Sequence, residues 1–180
     1  MAKKVFISYR RDDTGGHADA LYDALKRELG QGHVFRDLAN MQSGYPFQAQ
    51  LEKALEEVDI VLALIGKNWE QEIHKREGQT DYLLWEIDTA LQSGKRVIPV
   101  LFDRNMPDMQ PFLGMGHGSR LNQLAARQDI KIHSDLREES YQKLIDQLGF
   151  RAHKPIALWV ALALLVLLAM AGGTAWKSGF

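Results

Sequence analysis

Glu86 stands in the run Tyr82-Leu-Leu-Trp-Glu-Ile-Asp-Thr-Ala-Leu91, with Tyr82 four residues ahead of it. Residues four apart on a helix are neighbours on one flank, so an aromatic ring and a carboxylate share a side there. Leu83, Ile87, Ala90 and Leu91 form an apolar stripe. At ~100° per residue, Glu86 falls at one edge of that stripe and Trp85 points nearly opposite it. A carboxylate so placed is either a solvated helix charge or a group that reaches into a cleft and steadies a developing cation. A second cluster, Arg10-Arg11-Asp12-Asp13, follows the apolar start Val5-Phe-Ile-Ser-Tyr9. It reads either as a solvated loop with local ion pairs or as an anion site, because the planar guanidinium fork matches phosphate.

Other chemical signals are weak. Gly114-Met-Gly-His-Gly118 is glycine-rich, but it lacks the strand context and spacing of a dinucleotide loop. Ser93-Gly94-Lys95 has no upstream glycine to make a phosphate loop. The histidines at 17, 33, 74, 117, 133 and 153 include no i,i+4 pair, so no metal site is expected. The absence of cysteine excludes disulfides, thiolate catalysis and cysteine zinc sites. No nucleophile elbow is present. Met106, Met109 and Met115 read as loop anchors over apolar surface. The formal net charge is −1 with no basic stripe, which gives no reason to expect nucleic acid as a partner.

The elements that must carry these residues alternate between strand and helix. Strands are expected at Val5–Tyr9, His33–Arg36, Asp59–Ile65, Arg96–Phe102 and Ile130–Ile132. Helices are expected at His17–Leu29, Phe47–Val58, Asp81–Gln92, Arg120–Ala126 and Glu138–Leu148. A polar loop from Asp37 to Pro46 turns at Ser43-Gly44. The stretch after Gly66-Lys-Asn-Trp69 reads as charged. This alternation predicts an α/β fold, a flavodoxin-like, doubly wound, five-stranded parallel sheet of order 2-1-3-4-5. Such sheets bind ligands beyond the carboxyl ends of their strands, at the switch between strands 1 and 3. Ser8, Tyr9, Arg10 and Arg11 end strand 1 there, Asp37 follows strand 2, and Gly66 to Trp69 follow strand 3.

Ile156 to Trp176 is an uncharged run of 21 residues. At ~1.5 Å per residue it would span roughly 30 Å, a bilayer core, as one C-terminal transmembrane helix. Trp159 and Trp176 sit near its ends, where interfacial aromatics belong. Arg151 and Lys154 precede it and Lys177 follows, so the positive-inside bias places residues 1–150 in the cytoplasm. The N-terminus leaves no room for a signal peptide ahead of the first strand. The expected organisation is a domain over 1–150, a juxtamembrane linker over 151–155, the span over 156–176 and a short tail over 177–180, as in a tail anchor. The domain carries 19 basic against 23 acidic residues, so attraction to anionic lipid is not its main attachment.

Over residues 4–150 the chain resembles the Toll/interleukin-receptor, or TIR, family. Val5-Phe-Ile-Ser-Tyr-Arg-Arg11 is similar to that family's first strand and first conserved box. Phe35-Arg-Asp37 with the loop to Ser43-Gly44 is similar to the second strand and the BB loop. Asp59-Ile-Val-Leu-Ala-Leu-Ile-Gly66 is similar to the third strand. Trp85-Glu-Ile-Asp-Thr-Ala-Leu91 and the following Arg96–Phe102 resemble the segment that holds the catalytic glutamate of NAD-cleaving members. The resemblance implies that Glu86 is catalytic and that NAD+ is a substrate rather than a cofactor. It implies that Ser8, Tyr9, Arg10 and Arg11 line a nucleotide cleft, with Phe35 and Asp37 on its wall and Ser43 and Gly44 in a flap. Tyr82 stands where many NAD-cleaving relatives have tryptophan, and still offers a ring for stacking. The implied reaction is cleavage of the nicotinamide–ribose bond to nicotinamide and ADP-ribose or a cyclic variant. The implied partners are other TIR domains in a homo-oligomer or filament, and a membrane through 156–176, as in anchored bacterial anti-phage effectors activated by clustering. The alternative is a non-catalytic TIR–TIR scaffold at the membrane.

Overall fold

Alternation with period two along the strands decides which side chains meet which layer of helices. The computed structural model describes residues 3–36, 47–118 and 120–150. Its elements in chain order are β1 (Val5–Ser8), α1 (Arg11–Leu29), β2 (Val34–Arg36), α2 (Phe47–Glu57), β3 (Ile60–Ile65), α3 (Trp69–His74), α4 (Tyr82–Gln92), β4 (Arg96–Phe102), α5 (Leu121–Ala125), β5 (Ile130–Ile132) and α6 (Arg137–Gln147). The five strands form one parallel sheet of order β2-β1-β3-β4-β5, as expected. Phe6, Val61, Ala63, Ile65, Val97 and Leu101 face an apolar layer supplied by α2, α3, α4 and α5. Val5, Ile7, Ile60, Leu62, Leu64, Val100 and Phe102 face the other, supplied by α1 and α6. Strands β3 and β4 are buried from end to end apart from Arg96, which is why they read as continuous apolar runs.

Three features differ from expectation. Helix α1 starts at Arg11 rather than His17 and bends at Thr14, whose φ of −125° and ψ of 15° are not helical. The cluster Arg11-Asp12-Asp13 is therefore its first turn and not a loop, with two acids where a helix N-terminus favours negative charge. The charged stretch after Asn68 contains α3, seated by Trp69 and Ile73 one turn apart in the core. Trp85, opposite the main apolar stripe of α4, is buried as well, because α4 lies between α2 on one side and α5 with the Gly116–Gly118 turn on the other. Met109 is fully buried, and Met106 and Met115 pack on the same cluster, so the methionines do anchor the 103–118 loop.

Helix α4 has a defined start and stop. Asp81 caps its N-terminus, accepting from Leu84 N–H at 3.3 Å. At its end Gly94 takes a φ of 67°, which only a residue without Cβ adopts at no cost. Gly94 N–H donates to Leu91 C=O at 3.2 Å and Lys95 N–H to Ala90 C=O at 3.0 Å. This paired pattern is a Schellman stop, and it accounts for Ser93-Gly94-Lys95.

The expected cleft residues Asp37, Ser43 and Gly44 lie outside the described residues, as do the linker 151–155, the span 156–176 and the tail 177–180. Among the described residues no helix is long and apolar enough to cross a membrane.

Candidate active site

Ser8 lies two residues after Phe6 on β1, so its side chain points to the same face, the one covered by α4. There its Oγ donates to Glu86 Oε2 at 2.5 Å. Ser8 is buried and Glu86 half-buried, which places the Ser8–Glu86 pair at the rim of the sheet. Of the 11 residues of α4, only Tyr82, Glu86, Thr89 and Gln92 are not buried. Tyr82, Glu86 and Thr89 follow i, i+4, i+7 spacing and make one narrow open stripe. Tyr82 is 46 % exposed, one turn before Glu86.

The two arginines of the expected anion site are placed differently from each other. Arg10 continues the extended backbone of β1 (φ −101°, ψ 127°), so its side chain turns the same way as that of Ser8. It is buried, and its Nη2 donates to Asp81 Oδ2 at the N-terminus of α4. Two polar rungs thus join β1 to α4, Ser8–Glu86 and Arg10–Asp81. Arg11 is exposed on the first turn of α1. Tyr9 packs on the α1/α6 side of the sheet, away from the Ser8 face. Phe35, on β2 opposite Phe6, packs on the same apolar layer as α4. The structure therefore brings Ser8 and Glu86 together, sets Tyr82 beside them along the helix, and puts Phe35 on their side of the sheet.

Two site-shaping acids were missed in the sequence. Asp81 stands immediately before the apolar run, the ordinary signal for an N-cap. Asp13 gives no local signal, since its partners are more than fifty residues away. Its Oδ2 accepts from Gly66 N–H at 3.0 Å and its Oδ1 from Asn68 N–H at 2.9 Å. The turn after β3 is also held from its other side. Arg104 Nη1 donates to Gly66 C=O at 2.8 Å, and its two Nη groups meet the Glu70 carboxylate at 2.6 Å each. That fork holds the Glu70 carboxyl below its ordinary range. At Gly66 any Cβ would stand 2.5 Å from both Asp13 oxygens, so the close approach requires glycine. Below α3, Lys75 and Arg76 donate to Glu72 and lower its carboxyl to about 2. A cavity of about 390 Å³ opens on the other flank of α4, with Ile73, Arg76, Gln79, Asp81, Leu84 and Met115 in its wall. Leu84 and Glu86 are ~200° apart around the helix, so that cavity is distinct from the open stripe.

A family model described as TIR domain matches residues 5–148. The chain belongs to the TIR domain family. Among solved structures, the TIR domains of the activated Roq1 resistosome directly recognizing the pathogen effector XopQ are similar to this chain at 18% identity. That likeness has a TM-score of 0.61 and covers 81% of this chain and 99% of that one, and it shows the fold. The CMP N-glycosidase BcmB of Clostridium botulinum is 20% identical over 79% of this chain and 97% of its own, with a TM-score of 0.46. No curated protein matches. The TIR domain of this chain thus has its Glu86 at the mouth of a parallel sheet whose order reverses at β1, the edge where α/β sheets place ligands.

Proposed function

We propose that this TIR domain cleaves the nicotinamide–ribose bond of NAD+, with Glu86 as its catalytic carboxylate. The observation that carries the reading is the 2.5 Å bond from Ser8 Oγ to Glu86 Oε2 at the carboxyl end of β1. It holds the carboxylate on the open stripe of α4, one helical turn after Tyr82. Nicotinamide is a good leaving group because it departs from a cationic pyridinium. The C1′–N bond breaks, its electron pair stays on the ring nitrogen, and neutral nicotinamide leaves without needing a proton. One carboxylate therefore suffices where ordinary glycosidases use two. Its role is to bind ribose hydroxyls and to stabilise the cationic ribosyl centre as it forms. Water then adds at C1′ and its proton passes to solvent, giving ADP-ribose; attack by a group of the same nucleotide gives a cyclic product instead.

In this reading NAD+ is the substrate and no further cofactor takes part. The chain works as a membrane-anchored bacterial defence effector through 156–176, with the domain on the cytoplasmic side. Clustering of copies drives it, since a shared membrane raises the local concentration of domains. The test is chromatographic analysis of nicotinamide release by the full chain. Wild type is expected to release nicotinamide at a rate that rises faster than linearly with protein concentration. Glu86→Gln should lower the rate at least ~100-fold. Equal turnover by wild type and Glu86→Gln would remove Glu86 from the chemistry. Absence of turnover in every assembled state would leave the scaffold reading.

A further inference from the structure

We propose that Arg10 is a positioning residue: it sets the Glu86 carboxylate by clamping the N-terminus of α4 to β1, and does not grip substrate phosphate. The inference rests on the glycosidase reading above. Only 4 % of the Arg10 side chain is exposed, against 10 % for Asp81, so a phosphate has no access to the guanidinium. One Nη is committed to Asp81 Oδ2. The Nε is buried with no hydrogen-bond partner among the described residues, so Asp81 supplies the compensation that keeps this charge inside. The Arg10 carbonyl is engaged as well, accepting from Thr14 N–H at 2.7 Å and from Thr14 Oγ1 at 3.3 Å. Arg10 is thereby fixed at both its backbone and its tip.

The geometry turns this clamp into a device for aiming Glu86. Ser8 and Arg10 are alternate residues of one extended segment and point to one face. Asp81 and Glu86 are five residues apart on one helix, ~7.5 Å along its axis. The Arg10–Asp81 rung fixes where the helix begins, and the Ser8–Glu86 rung can then close at 2.5 Å. Asp81 does two things at once, since its other oxygen caps Leu84 N–H. Losing Arg10 leaves the buried Asp81 carboxylate without its ion-pair partner, with Arg76 acting on it from the cavity side. The carboxylate then draws toward solvent, loosening the first turn of α4 and with it the Tyr82–Glu86 stripe. A displacement of ~1 Å at a reacting group is enough to cost ~100-fold in rate.

The experiment compares full-length wild type, Arg10→Met, Arg10→Lys and Asp81→Asn on two substrates, NAD+ and nicotinamide riboside. The second has the same scissile bond and no phosphate. A clamp predicts that Arg10→Met and Asp81→Asn each lower kcat by about 10- to 100-fold with KM within about twofold. The loss is equal on both substrates, and Arg10→Lys recovers part of it. A phosphate grip predicts a raised KM for NAD+, no effect on nicotinamide riboside and no effect of Asp81→Asn; that result would overturn the proposal. A second readout does not depend on turnover. The Glu86 carboxyl, followed by carbon NMR as pH is varied, should titrate differently in Arg10→Met, and the amide of Leu84 should exchange faster. If wild type cleaves neither substrate, the glycosidase reading fails and these two signals decide the clamp by themselves. An unmoved Glu86 titration with unchanged Leu84 exchange in a folded Arg10→Met would refute it.

Discussion

Gly66→Ala isolates a single close approach. The residue does not take a positive φ, so alanine meets no left-handed backbone strain and the effect comes from the added Cβ. That carbon would lie 2.5 Å from both Asp13 oxygens and 2.6 Å from Cγ. Relief requires the carboxylate to withdraw by roughly 1 Å, which carries its bonds to Gly66 N–H and Asn68 N–H, now 3.0 and 2.9 Å, past hydrogen-bond range. Bonds to a charged acceptor contribute about 1.5–3 kcal/mol each. Asp13 is half-buried, so water replaces part of each bond and the lower end applies, about 3 kcal/mol for the two. In a domain of this size that lowers Tm by roughly 6–12 °C. Asp13→Ala loses the same two bonds and should cost a similar amount. The double variant discriminates, because with Asp13 truncated the new methyl meets no carboxylate. Gly66→Ala in the Asp13→Ala background should be neutral or slightly stabilising, by up to about 1 kcal/mol through the stiffer unfolded chain. Thermal and urea unfolding of the four proteins gives the coupling, expected at about 3 kcal/mol. Additive losses in the double variant, or a Gly66→Ala protein within about 1 kcal/mol of wild type, would refute the contact as the cause.

Three further expectations follow from the geometry. On the proposed NAD+-cleaving reading, Ser8→Ala removes the bond that holds Glu86 and should lower kcat about 10- to 100-fold with little change in KM, and steady-state kinetics of the full chain would show it. Glu72 is held down by Lys75 and then Arg76, from 4.5 to about 2. Its contribution is therefore present above about 4.5 and lost as pH falls toward about 2, and Glu72→Gln should flatten the acid limb of a stability-versus-pH curve. His17 stacks on Phe102 with ring centroids 4.2 Å apart. Burial, then Arg137, lower its pKa from 6.5, against smaller raising effects of Asp103 and Asp13. The folded state thus resists protonation, and stability should fall as pH drops below about 6.5. His17→Gln should remove that slope in urea titrations.

The fold was legible because β1, β3 and β4 are marked by β-branched apolar runs between turn residues, and all five strands begin and end within one residue of the expected bounds. The apolar stripe of α4 likewise placed Glu86 and Tyr82 on one flank. Long-range polar pairing was not legible. Arg10 and Asp81 are 71 residues apart and Asp13 and Gly66 are 53 apart, and neither pair leaves a periodic trace. A charge cluster such as Arg10–Asp13 therefore reads as solvated, although its first member is buried and its last accepts two backbone N–H groups. Helix α3 escaped notice because Trp69 and Ile73 are its only buried apolar residues, too few for a period to emerge among charges.

The narrow open stripe on α4 governs how a saturation mutagenesis screen of this chain would read. Most positions of the helix will reject substitution simply because they are packed, so intolerance there carries no message about activity. Only where a side chain is wet does intolerance become diagnostic. On α4 that singles out Tyr82, Glu86, Thr89 and Gln92. An activity-linked selection scored against an abundance-linked one should separate these positions from their buried neighbours. Residues depleted in the first and neutral in the second would mark the working edge of the helix without any assumption about substrate.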